Sequence, residues 1–115
     1  MIKYYEGDGR LSLVTEHNGV LYLTGRTSEG KNIKEQTQGV LNIVDETLAK
    51  YNSDKEHILR VQIFLKDVLR DFDNMNEVWE AWIVEGKEPA RATVQADMAL
   101  EDRLVEMVVT AVMRE

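Results

Sequence analysis

The stretch Leu104–Met113 constrains the fold more than any other part of the chain. In it Met107, Val109, Ala111 and Met113 alternate with Val108, Thr110 and Val112. Successive side chains of a strand point to opposite sides, so both faces of this strand are largely apolar. Such a strand needs cover on both faces. The chain has 115 residues, enough for one domain (1–115) with a real core and no second domain. A domain of that size offers helices for one face, and the other calls for a second copy of the chain.

The helices are legible. Ile33, Val40, Leu41, Val44 and Leu48 recur at helical spacing from Asn32 to about Lys50, and Asn32 with Glu35 resembles a capping box. Asn52 suits a left-handed stop. Met75, Trp79, Trp82 and Ile83 form a second stripe, with Asp71 as the expected N-cap and Gly86 then Pro89 closing the helix. The Trp79/Trp82 pair reads as core that seals the helix onto a sheet. Leu11–Val14 and Val20–Leu23 are short β-prone runs joined through His17-Asn18-Gly19, and Asn-Gly suits a tight hairpin turn. Ile58–Leu65, Thr93–Ala96 and Leu104–Met113 are the remaining strands. The order is hairpin, helix, strand, helix and two strands: an α+β layer with two helices on one face of a sheet.

Composition excludes several kinds of chemistry. There is no cysteine, hence no disulfide, thiolate nucleophile or Cys-ligated zinc. His17 and His57 stand apart with no chelating spacing, so no metal site is expected. Twenty-one acidic residues against fourteen basic ones give a net charge of −7 without a Lys/Arg stripe, which argues against nucleic acid as a partner. No run reaches the roughly 20 apolar residues that cross a bilayer. The N-terminal residues lack a basic then apolar leader pattern, so a cytoplasmic location is expected.

Two charges stand out against this background. Arg91 lies in Pro89-Ala90-Arg91-Ala92-Thr93-Val94, and Glu106 lies between Val105 and Met107. Charges in such strands need partners. A guanidinium is a planar fork that holds carboxylates bidentately. The pair serves either as an interface salt bridge or as a ligand site.

The two segments around Arg91 and Glu106, with their spacing, resemble the C-terminal signature of the RidA family, also called YjgF. Thr24-Gly25, Phe64-Leu65-Lys66-Asp67, Asp71-Phe72 and Asn76 also fall where that family has similar residues, so the resemblance covers nearly the whole chain. It implies two helices packed on one face of a mixed six-stranded, chorismate-mutase-like sheet, assembled as a homotrimer with ligand clefts between subunits. It implies hydrolysis of reactive 2-imino acids and their enamine tautomers to 2-oxo acids and ammonia, without cofactor or metal.

Under that resemblance Arg91 would clamp the substrate carboxylate and Glu106 would place the attacking water. Thr24, Gly25 and Thr93 would border the pocket, with Phe72 as an apolar wall and Asn76 as a polar one. The chain departs from the family at four positions. Leu11 stands where many relatives have a tyrosine, Thr93 where many have cysteine, Asp97 where small or basic residues are usual, and Arg26 where glutamine is common. Leu11 and Arg26 therefore bear on substrate choice. The alternative is a trimer that binds small carboxylates or 2-oxo acids without turnover. RNA cleavage, sometimes attached to the family, fits the acidic surface poorly.

Overall fold

The computed structural model describes residues 1–115. Its strands are β1 (Lys3–Gly7), β2 (Ser12–His17), β3 (Val20–Leu23), β4 (Ile58–Leu65), β5 (Ala90–Gln95) and β6 (Val105–Val112). Helix α1 (Ile33–Lys50) precedes β4, and α2 (Val68–Trp82) joins β4 to β5. One sheet runs in the order β1-β2-β3-β6-β4-β5, with only β4 and β5 parallel. The molecule is 20 Å thick in its shortest direction, the depth of one sheet layer plus one helix layer.

Local chemistry accounts for most boundaries. Asn18 and Gly19 both have positive φ, 51° and 79°, and close the β2–β3 hairpin between His17 and Val20. The Asn32 side chain accepts from the Glu35 amide at 2.9 Å, while the Glu35 carboxylate accepts from Lys31 N and not from Asn32 N, so the capping box is half formed. Asn52, at φ 58°, turns the chain after α1. Gly86 has φ 84° in a turn beyond α2, which has already ended at Trp82.

Two expectations need correction. The N-cap of α2 is Asp67, whose carboxylate accepts from Arg70 N at 3.0 Å, so the helix starts one turn before Asp71. Asp71 lies inside the helix, is 4% exposed, and is held by both Arg70 Nε and Nη2. The residue pattern also missed β1, an edge strand whose side chains are mostly exposed and show no apolar alternation. With β1 the sheet has six strands.

The register assigns each side chain to a face. On one face Leu21, Leu23, Val61, Ile63, Leu65, Val105, Met107, Val109 and Ala111 pack under α1 and α2. Val40, Leu41, Val44 and Leu48 of α1 and Met75, Trp79 and Trp82 of α2 complete that core. On the other face Val108, Thr110 and Val112 of β6 lie beside Tyr22, Gln62 and Phe64, with no helix over them. Within one chain β6 is therefore covered on one side only.

Candidate functional site

Arg91 and Glu106 sit two strands apart, on either side of β4. Arg91 pairs with Val61 of β4, and Glu106 with Phe64. Three residues along β4 change the face, so the two side chains leave opposite sides of the sheet. Two strand spacings and three residues put them roughly 10 Å apart across the sheet and roughly 10 Å along it. An ion pair between them in one chain is ruled out.

Arg91 projects to the helix side, where α2 receives it. One Nη1 hydrogen bond goes to Asn76 Oδ1 at 2.7 Å. The guanidinium carbon is 5.2 Å from the centroid of Trp79 and 6.0 Å from that of Phe72, both within reach of a cation–π contact. Phe72, Asn76 and Trp79 follow i, i+4, i+7 spacing and so form one stripe of α2. No carboxylate comes within ion-pair distance of Arg91. Burial pushes its guanidinium below the ordinary value, opposed by the charge of Glu80. Thr93 is two residues on and on the same face, and its hydroxyl is buried without a hydrogen-bond partner.

Glu106 projects to the open face and lies against Gly25. A Cβ built on Gly25 would come within 2.3 Å of Glu106 Oε2. Glycine is what allows the carboxylate to rest there. With Phe64, Ala96, Asp97 and Met98, Glu106 lines a depression of about 180 Å³. Asp97 thus brings a second carboxylate to the same depression. Neither acid has an ion-pair partner within the chain. Thr24 is adjacent, its amide bonded to Leu13 O at 2.9 Å.

Two expected site residues lie elsewhere. Leu11, 45% exposed, is in the β1–β2 turn and borders a depression with Tyr4, Arg10 and Thr15. Arg26 pairs by its backbone with Met107, and its side chain lines a cavity of about 250 Å³ beside α1 with Glu6, Glu46 and Lys50. That places the Arg26 side chain apart from both Arg91 and Glu106 within one chain. Trp79 belongs to this site as well as to the core, and its spacing from Phe72 and Asn76 signals that the three share a face. Phe64 and Met98 carry no sequence signal for the depression: the β4–β6 register brings Phe64 beside Glu106, and the loop after β5 brings Met98 there.

No three His, Asp or Glu side chains gather closely enough to hold a metal ion. No helix is long and apolar enough to cross a membrane.

The family model described as Endoribonuclease L-PSP matches residues 3–113. The chain belongs to this family, whose members also carry the RidA, YjgF and RutC names. A RutC family protein of Haemophilus influenzae is 41% identical over 105 residues, spanning 89% of this chain and 90% of the relative. The RutC family protein YoaB of Escherichia coli is 39% identical over 107 residues, spanning 92% and 93%. Among solved structures, a YjgF-family protein of Neisseria meningitidis superposes with a TM-score of 0.96 at 40% identity, covering 100% of this chain and 97% of that one. This likeness agrees with the two-helix, six-stranded architecture. The family names state kinship, and the reaction has to be argued from the site.

Proposed function

We propose that the chain is a deaminase of small reactive 2-imino acids and their enamine tautomers, acting as a homo-oligomer. Water adds to the imine carbon, the carbon–nitrogen bond breaks, and a 2-oxo acid and ammonia leave. A protonated imine is already an electrophile, so the protein has to orient it, place a water and accept a proton. Arg91 holds the substrate carboxylate, with the Thr93 backbone beside it. Glu106 orients the water and takes its proton, with Thr24 and Gly25 bordering the same end of the cleft. Phe72 and Asn76 flank the carboxylate end.

The observation that carries the proposal is that Arg91 keeps N–H donors free beyond its one bond to Asn76 and has no acid partner. Because Arg91 and Glu106 leave opposite sides of the sheet, a substrate touching both must lie between two copies. Arg91 then comes from one copy and Glu106 from the next. The uncovered face of β6 supports the same assembly, a homotrimer in this proposal. Leu11 and Arg26 act in this reading only across an interface, where they would adjust side-chain preference.

The test mixes two inactive variants. Arg91→Ala and Glu106→Gln chains are refolded together, and hydrolysis of 2-iminopropanoate, generated in place by an amino-acid oxidase, is followed with semicarbazide trapping. At substrate concentrations far below the KM of Arg91→Ala, each variant alone is expected to be inactive, Arg91→Ala through lost binding and Glu106→Gln through lost chemistry. In a closed ring with sites between neighbours, random mixing restores both groups to about a quarter of the sites. Recovery near that level supports the shared site, and none refutes it. If wild type fails to accelerate hydrolysis while still binding 2-oxobutanoate through Arg91, the protein is a carboxylate-binding oligomer instead.

A further inference from the structure

We propose that Trp79 is a positioning residue for Arg91, held in turn by Trp82 and Asp45, so that a residue of α1 helps orient a guanidinium on β5. This rests on the reading that Arg91 holds the substrate carboxylate.

Arg91 projects from the last strand of the sheet, and a single hydrogen bond to Asn76 Oδ1 at 2.7 Å fixes one N–H but not the plane of the group. Planarity is what makes a guanidinium a two-pronged carboxylate receptor. The ring of Trp79, 5.2 Å from the guanidinium carbon, provides the nearer aromatic face, with Phe72 at 6.0 Å. Phe72 is 37% exposed, whereas Trp79 is 5% exposed and enclosed by the core. Trp79 is therefore the fixed side of the seat.

Its own position is set further back. The Trp79 and Trp82 rings are tilted by 47° with centroids 5.5 Å apart. Trp82 Nε1 donates to Asp45 Oδ2 of α1 at 2.9 Å, which pins the second ring. The contacts run without a gap from Asp45 through Trp82 and Trp79 to Arg91. A carboxylate clamp binds ground state and transition state alike, so loosening it raises KM and leaves kcat nearly unchanged.

The experiment is a cycle of Trp79→Leu against Arg91→Ala, with Trp79→Phe as the milder variant should the leucine protein fold poorly. KM and kcat are read on 2-iminopropanoate, and the Kd of 2-oxobutanoate by ligand-observed NMR, which reaches millimolar affinities. Trp79→Leu is expected to raise KM and Kd about 10-fold with kcat within about twofold, and Trp79→Phe to recover most of the loss. On the Arg91→Ala background Trp79→Leu should change Kd no further. An equal loss on both backgrounds, or a fall in kcat at unchanged KM, overturns the positioning role. If Arg91→Ala alone leaves turnover and Kd intact, the carboxylate reading itself is wrong, and the proposal falls with it.

Discussion

Gly25→Ala tests the placement of the Glu106 carboxylate, the side chain that a Cβ at Gly25 meets most closely. The φ of Gly25 is outside the left-handed region, so alanine strains no backbone there. Its new Cβ would meet Glu106 Oε2 at 2.3 Å, Cδ at 3.1 Å and Cγ at 3.4 Å. Only the end of a flexible side chain has to yield, by about 1 Å, and an off-rotamer torsion costs about 0.5–1.5 kcal/mol. For a domain of this size that lowers Tm by a few degrees, about 2–8 °C. Misplacing a catalytic group by about 1 Å costs on the order of 100-fold in rate. The variant should therefore melt close to wild type and hydrolyse 2-iminopropanoate about two orders of magnitude more slowly. Thermal unfolding and initial rates on the same preparation make the comparison. Removing the clashing side chain, as in Gly25→Ala with Glu106→Ala, should return the lost stability measured against Glu106→Ala alone. Turnover within threefold of wild type in Gly25→Ala would show that the carboxylate need not rest on Gly25, and the assignment of Glu106 would lose its geometric basis.

Gln36→Leu should destabilise the protein by about 2–4 kcal/mol in urea unfolding, because it strands the carbonyls of Gly30 and Asp102 and the amide of Leu104, all bonded to Gln36 in the folded state. Val112→Glu, on the uncovered face of β6, should convert the proposed oligomer to monomers in sedimentation analysis, since burying an unpaired carboxylate costs several kcal/mol per copy; a monomeric wild type would refute the assembly. The hydrogen bond from His57 holds the Asp54 carboxyl below its ordinary value, helped by the Glu56 amide. A lowered folded-state value gives stability that is present above the unfolded value and lost as pH falls through the folded one. Asp54→Asn should therefore lower stability at neutral pH, where that contribution is fully present, and flatten the acid limb of a stability-versus-pH curve below the ordinary carboxylate range; an acid limb as steep as wild type would refute the assignment.

Helices α1 and α2 were legible because their apolar stripes repeat over several turns, and the β2–β3 hairpin because Asn18-Gly19 meets the φ demand of a two-residue turn. β1 was not, since an exposed edge strand such as Lys3–Gly7 need not alternate. The start of α2 is ambiguous in the sequence because Asp67 and Asp71 are equally good caps by residue type. Only the strand before the helix decides, leaving Asp67 at the junction. Arg91 and Glu106 stood out as charges in apolar strands, yet their facing did not. It depends on the registers of β5 and β6 on β4, which spacing along the chain does not encode. The aromatic seat of Arg91 was hidden for a different reason: Trp79 serves the core and the cation with the same ring.

The central place of β6 in the sheet also has a consequence for biosynthesis. β6 comes after the other five strands in chain order, yet it joins β1-β2-β3 to β4-β5. Until residues 105–112 have left the ribosome, the two halves of the sheet each end in an open edge, at β3 and at β4. Such edges invite pairing with other chains. The nascent protein should therefore complete its sheet only once β6 has emerged, in a step dominated by contacts between distant residues and correspondingly slow.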